Sequence, residues 1–341
     1  MKLKAVINLI LIVVNFFGSI SLSKYYYDKI EKENQNKNFS IKLSFAGDTM
    51  LASYKDQTTP GSFNDYVNKN DASYFLKNVS NIFNEDDFTI VNLENVLSDR
   101  KLLEVGKNHS PAYWYKSSAS NVNILSTSSV EGVSVSNNHT GDYGAIGKQD
   151  TINAIANANM QYGDGAHIMY FKKGSYTIAV ICNGLWRESQ ANGIIKLIKV
   201  AEKNSDYQII FFHGGKERIH HPEEWKVRAT RKLIDNGADL VVGSHPHVLQ
   251  PREIYKNKEI VYSLGNFCYG GNKTPENRTI IYQINLTIDS KTNKLLDEKS
   301  NIIPCYVYTG KTNNYQPAPI KEEAIKNKVI DFINWKVDSP L

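Results

Sequence analysis

From residue 41 onward the chain alternates short apolar runs with amphipathic stretches. The runs 41–46, 88–93, 177–182, 208–212, 240–242 and 259–263 are rich in Ile, Val, Leu and Phe, and 133–136 is a shorter one. Runs of this length predict strands buried within a sheet. Residues 279–288 alternate with period two, which predicts a strand with one wet face. Phe75, Val79, Ile82 and Phe83 recur at helical spacing over 74–83, with Asp71 or Ser73 placed to cap the amino end. Further helices are predicted over 147–158, over 225–236 with Gly237 as the stop, and over 322–335, where Ile325, Val329, Phe332 and Ile333 form the apolar face. Strand and helix thus alternate as in an α/β fold. No repeat interrupts the pattern, and residues 41–341 read as one domain.

The ends of these strands carry the chemistry. The first is followed by Gly47-Asp48, the second by Glu94, the short run by Asn137-Asn138-His139, the run 208–212 by His213, and Leu240-Val241-Val242 by Gly243-Ser244-His245-Pro246-His247. Open α/β sheets bind ligands beyond the carboxyl ends of their strands, so these residues predict one shared polar site. Pro246 stiffens the turn between the two histidines. Asp48, Glu94, Asn138, His213, His245 and His247 form the ligand inventory of a dinuclear phosphoester-cleaving centre, in which a carboxylate bridges two ions and imidazoles and a carboxamide fill the other positions. Manganese, zinc and iron all suit such a set, as one ion or two. His139 stands beside a ligand and is placed to protonate a leaving group. Asp142 orients it, and Glu217 orients a ligand.

Asn137, Asn266 and Lys116 are the candidates for touching substrate, Asn266 from the turn 262–267 and Lys116 beside Trp114 and Tyr115. Several of these residues also have plainer readings. Asp48 can cap a turn, His213 can be a satisfied core histidine, Gly265 can serve a tight turn, and the aromatic cluster can be packing. His220 and His221 read as solvated histidines at a pocket rim, while His109 and His167 lack any strand-end context.

Charge and cysteine content narrow the classes. The 341 residues carry 40 Lys and Arg against 35 Asp and Glu, a formal +5, and no basic stripe, which excludes a nucleic-acid partner. Cys182, Cys268 and Cys305 are far apart among apolar neighbours and read as buried free thiols, not a disulfide framework. Lys2 and Lys4 precede an apolar run over 5–17 that extends to Leu22. Residues 1–23 therefore read as a signal peptide or signal-anchor, close to the roughly 17–25 residues that span a bilayer. Residues 24–40 form a charged, Asn-rich linker, a tether that would hold the domain outside the cytoplasm at the cell membrane.

Taken as a set, Gly47-Asp48-Thr49-Met50, Asn92-Leu93-Glu94, Asn137-Asn138-His139 with Asp142-Tyr143-Gly144, His213-Gly214-Gly215-Lys216-Glu217, Gly243 to Gln250 and Tyr262 to Phe267 resemble the CapA family of poly-γ-glutamate capsule-synthesis proteins. The family looks like a branch of the calcineurin-like metallophosphoesterases. The resemblance implies a four-layered α/β sandwich, here with a C-terminal helix, membrane anchoring, and a role in making or exporting an anionic surface polymer. The expected partners are that polymer or a phosphorylated precursor, and a polymer synthesis or export complex. Two departures stand out. Met50 occupies the position where metallophosphoesterases have a histidine, and Gly214, not an aromatic residue, follows His213. A metal-dependent hydrolase or transferase is the leading expectation; a non-catalytic component with a degenerate metal site is the alternative.

Overall fold

The computed structural model describes residues 38–107, 110–271 and 276–341. The predicted signal segment and most of the linker lie outside them. The chain divides into a small unit, Met1–Ser40 with Leu286–Glu298, and a large one, Ile41–Asn285 with Lys299–Leu341. In the described part of the small unit, Asp289 organises a turn by accepting hydrogen bonds from the backbone N–H of Lys291 and Thr292.

Strands follow the chain as β1 (Phe39–Met50), β2 (Phe88–Leu93), β3 (Val96–Leu97), β4 (Lys116–Ser117), β5 (Gly132–Ser134), β6 (Gln161–Gly163), β7 (Met169–Lys173) and β8 (Tyr176–Gly184). They continue as β9 (Tyr207–His213), β10 (Leu240–Ser244), β11 (Leu249–Tyr255), β12 (Lys258–Leu264), β13 (Asn266–Tyr269), β14 (Thr279–Ile288), β15 (Leu295–Tyr306) and β16 (Ala318–Pro319). Among the described residues, one sheet has the order β16-β15-β14-β1-β2-β5-β6 with β13 also paired to β1, and a second has the order β11-β12-β10-β9-β8-β7. The central pairs β1–β2, β2–β5, β8–β9 and β9–β10 are all parallel.

The period-two alternation of side chains sets the layers. On the first sheet, Ala46, Val91 and Val133 pack with Phe75 and Phe83 of the short helices Ser73–Leu76 and Ser80–Asn84 and with Ile155 of the helix Gly144–Asn157. Phe45, one residue out of phase, points the other way and meets Phe211 of the second sheet edge to face at 5.7 Å. On that sheet Ile210, Phe212 and Val241 pack with Ile194 and Ile198 of the helix Ala191–Ala201 and with Ala229 and Leu233 of the helix Glu224–Asp235. The result is helices, sheet, sheet, helices, a four-layered α/β sandwich. A last helix, Glu323–Ile333, buries Val329, Phe332 and Ile333.

The predicted strands appear with small changes at their ends, and the differences elsewhere have local causes. The predicted helix 74–83 is two short helices, because Val79 leaves helical geometry at φ −124°, ψ −12° while its side chain stays buried with Phe75 and Phe83. The first six residues of β14 are buried on both faces, and the alternation predicted for the whole strand is left to its last four residues. The strands β11 and β15 and the helix Ala191–Ala201 are not among the predicted elements. β11 contains Pro251, tolerated because this strand is the edge of its sheet. All three cysteines are free and buried, as expected.

Candidate metal centre

Register brings the candidate ligands level. Asp48 near the end of β1 pairs with Asn92 on β2 and with Asn266 on β13, and His213 at the end of β9 pairs with Ser244 on β10. Gly47 makes the pairing with β13 possible: a Cβ there would lie 1.9 Å from the Gly265 carbonyl, which accepts the Asp48 N–H at 2.9 Å. The turn after β10 is strained. His245 has φ 101° and His247 φ 57°, both in the left-handed region that L-residues seldom adopt. The His245 N–H is held by Asp48 Oδ2 at 3.1 Å, which locks that turn onto β1.

Five side chains close on one another as a result. Asp48 and Glu94 are fully buried, and His213, His245 and His247 nearly so. One donor atom each from Asp48, Glu94 and His247 lies within 4.8 Å of the others, and the same holds for Glu94, His213 and His245. Glu94 is common to both groups, as a bridging carboxylate would be. Asn138 joins through its Oδ1, 2.7 Å from His213 Nε2. His245 Nδ1 stands 3.0 Å from His213 Nε2, and the two rings meet at 61°. Both Glu94 oxygens are buried without a hydrogen-bond donor, and the nearest cationic group is His213 Nε2 at 3.3 Å. Imidazole nitrogens and carboxylate oxygens gathered this closely are the donor types that divalent cations take.

The electrostatics agree with that fit. Burial would raise the Asp48 carboxyl, but hydrogen bonds and charge from His213 and His247 outweigh it and hold Asp48 well below the usual carboxylate range. Burial works against a charged His247, yet Glu94 and Asp48 push it up to about 10, and the same two carboxylates raise His213. Burial, reinforced by the charges of His213 and His247, lowers His245. Both shifts favour the charged imidazole beside the two carboxylates, and a bound metal would take the place of those protons.

Beside the cluster, His139 Nδ1 lies 2.8 Å from Asp142 Oδ2, which leaves Nε2 as the free ring nitrogen. Asp142 is fixed in turn by the Tyr115 N–H at 2.8 Å and by Lys107 Nζ at 2.6 Å. Glu217 is exposed, and its carboxylate reaches His245 and His247. Asn137 donates to Leu93 O at 2.7 Å and to Asn92 Oδ1 at 3.1 Å, fastening the Asn138-His139 loop to β2. Asn266 Oδ1 is 2.9 Å from His247 Nδ1 and orients that ring. Lys116 is not brought to the cluster: its ammonium goes to Asp56 and to Ser98 O.

Other histidines lie apart from the cluster. His220 is no free rim residue, because it bridges Glu276 at 3.1 Å and Leu249 O at 3.0 Å. His221 stacks on Trp335 and His167 on Tyr162, while His109 lies outside the described residues.

The structure adds residues that the strand-end pattern did not single out. Asn92 donates to Asp48 Oδ1 at 2.9 Å, a role visible only from register. Trp186 stands edge-on to His245 at 4.7 Å and to His213 at 5.6 Å, and nothing local in the sequence marks it. Both departures from the metallophosphoesterase pattern have physical reasons. Met50 is buried in an apolar cluster with Ala52, Tyr115, Tyr269 and Val307. At Gly214 a Cβ would sit 1.8 Å from the Leu185 carbonyl, so no larger residue fits.

Two facing β-sheets with a buried carboxylate–imidazole cluster at their strand ends define an α/β sandwich with a candidate metal site. Residues 42–181 and 170–270 match the model of the bacterial capsule synthesis protein PGA_cap, and the chain belongs to that family. It is 26% identical to the PGA biosynthesis protein CapA of Bacillus subtilis, covering 87% of this chain and 80% of that one. It is also 26% identical to the capsule biosynthesis protein CapA of Bacillus anthracis, covering 86% and 72%. A solved structure described as a novel phosphatase, from Mycoplasma pneumoniae, aligns at TM-score 0.45 and 14% identity over 79% of this chain and 95% of that one.

Proposed function

We propose that this chain is a membrane-anchored, extracytoplasmic enzyme of capsule-polymer synthesis or export, a metal-dependent hydrolase or transferase acting on phosphoesters of an anionic polymer of the poly-γ-glutamate type or of its precursor. The observation that carries the reading is Glu94, a wholly buried carboxylate with no hydrogen-bond donor, set among Asp48 and three imidazoles. The polymer class comes from the names of the two Bacillus relatives. Anchoring and export rest on the apolar segment that follows Lys2 and Lys4. Among the described residues no helix is long and apolar enough to cross a membrane, and that segment is not among them.

Asp48, Glu94, Asn138, His213, His245 and His247 would hold the ions. Bound divalent ions supply polarisation of a phosphoryl oxygen and a bound water of lowered pKa. The chain's own residues supply the rest. Asn92 and Asn266 fix Asp48 and His247. His139, oriented through Nδ1 by Asp142, delivers a proton from Nε2 to the departing alkoxide. Trp186 covers one side of His245 and His213 and limits water there.

A second reading, a non-catalytic member of a synthesis or export complex, draws on Met50, whose thioether occupies the place of a metallophosphoesterase histidine. Elemental analysis of the full-length protein, paired with turnover of p-nitrophenyl phosphate and bis-p-nitrophenyl phosphate before and after chelation, separates the two. Stoichiometric metal with chelator-sensitive turnover supports the enzyme. Stoichiometric metal without turnover, or protein that neither holds metal nor turns over when metal is restored, supports the second reading.

A further inference from the structure

A cavity of about 320 Å³ opens directly beside the cluster, between the carboxyl ends of β5 and β8. Two of its walls belong to the site itself: Asn137, next to the ligand candidate Asn138, and Trp186, which stands against His213 and His245. A substrate with its phosphoryl group at the cluster would place the attached group here. At the low end of the roughly 300–1,000 Å³ typical of small-ligand pockets, the volume suits one compact ring.

The chemistry of the wall is distinctive. Among the described residues no Lys, Arg or His lines it, and its one ionisable group is Asp164, already paired with Lys148 at 2.8 Å. Ser136, Asn183 and Gln190 contribute hydroxyl and carboxamide groups. Gln190 uses its Oε1 to accept the Trp186 N–H at 2.6 Å, so its amide NH2 remains for a ligand and the indole is anchored at its backbone. Asn183 spends one amide hydrogen on Gly165 O at 3.3 Å and keeps its carbonyl. Trp186 is 38% exposed, and Gly184 leaves the room its ring occupies, since a Cβ there would lie 2.8 Å from the indole nitrogen. Mixed donors and acceptors beside an exposed aromatic ring recognise a neutral polyhydroxylated ring, with its C–H face on the indole and its hydroxyl and amide groups on the wall. A γ-glutamyl unit would bring its carboxylate against a wall whose one charged lining side chain is the acid Asp164, with Lys148 already engaged by it.

We propose that this cavity is a sugar subsite, and that the group attached to the substrate's phosphoryl is an uncharged ring of hexosamine size and not an acidic glutamyl segment. The inference rests on the phosphoester reading above and, of the polymer and its precursor, selects the precursor, as a glycosyl phosphate.

The test is calorimetric binding to the metal-loaded full-length protein, comparing N-acetylglucosamine 1-phosphate with glycerol 1-phosphate, which carries the same phosphate without the ring. The expected preference for the sugar is about tenfold or more. Ser136→Leu, which fills the cavity, and Trp186→Ala should each bring the two ligands to within about twofold of each other, the residual being the shared phosphate contact. Equal binding by the wild type, or a preference that survives both variants, overturns the proposal. So does a γ-linked glutamate trimer that displaces the sugar phosphate from the wild type and no longer binds Ser136→Leu. Failure of the phosphoester reading looks different: no turnover of any ester, while the ratio of affinities still reports on the cavity.

Discussion

Replacing Glu94 with Gln separates a carboxylate kept for a metal from one kept for the fold. The substitution preserves shape and removes one buried charge. Without metal, the loss of attraction to His213 at 3.3 Å and His247 at 3.9 Å is offset by the loss of the desolvation cost of a carboxylate that no donor satisfies. The expected change in metal-free stability is therefore small, within about 1 kcal/mol. With metal the balance is one-sided. Groups that merely support a ligand cost about 10–100-fold in affinity when removed, so a shared ligand should cost at least about 100-fold. At a metal concentration about 100 times the wild-type Kd, the wild type gains about 2.7 kcal/mol, whereas a variant bound 100-fold more weakly gains about 0.4 kcal/mol. At about 2 °C per kcal/mol for a chain of this size, the metal-induced rise in Tm falls from about 5 °C to about 1 °C. Differential scanning calorimetry with and without manganese or zinc reads both quantities. A Glu94→Gln protein that keeps the full metal-induced rise, or loses several kcal/mol without metal, would refute the argument.

Other residues give distinct signatures. His139→Gln should lower kcat by about 10²–10⁴-fold on alkyl phosphoesters, whose leaving groups need a proton, and much less on p-nitrophenyl esters, with metal content unchanged; Asp142→Asn should show the same leaving-group dependence at smaller amplitude, and steady-state kinetics on both ester classes is the check. Glu217→Gln should weaken metal binding by about tenfold in chelator competition, since its carboxylate reaches His245 and His247 from the exposed side; unchanged affinity would assign Glu217 no part in holding the ion. Burial raises the Glu131 carboxyl from 4.5 to about 7, so the folded chain holds a proton that the unfolded chain has released. That contribution to stability is complete below the unfolded value and is lost as pH rises through about 7. Glu131→Gln should flatten this part of the pH profile, read as urea midpoints at about pH 5 and about pH 8, and an unchanged slope would show that another group is responsible.

The site was legible in the sequence because a strand's end is a local event. Each of the site's apolar runs stops at a polar residue or a glycine, and a parallel sheet then sends every such stop to the same side. What the runs could not disclose is register and the facing of the two sheets. Asn92 serves Asp48 across strands, and the His245 N–H reaches Asp48 across 197 positions. Trp186 follows β8 with no flanking signal and becomes a wall of the site only because β8 lies beside β9. Lys107 comes from a long connection and still holds Asp142 at 2.6 Å. The amphipathic helix Ala191–Ala201 was within reach of pattern reading, with Ile194 and Ile198 four apart and buried, but Gly193 near its start interrupts the signal.

The turn that carries His245 and His247 shows what the fold concedes to this site. A histidine at φ 101° sits where glycine is at ease, and non-glycine residues in such regions cost about 1–3 kcal/mol each. Glycine is plainly available to this chain at tight places, as Gly47, Gly214 and Gly265 demonstrate around the same cluster. At 245 and 247 the backbone asks for glycine and the side chains are imidazoles, both nearly buried and both turned toward Asp48 or His213. Packing alone does not explain this: His245 meets Trp186 and His247 meets Tyr269, yet both rings also stand among other imidazoles and two buried carboxylates. A strained backbone kept for two inward nitrogen donors is what the proposed metal centre would require, and stoichiometric metal in the full-length protein, abolished by His245→Gly, is the outcome that this reading expects.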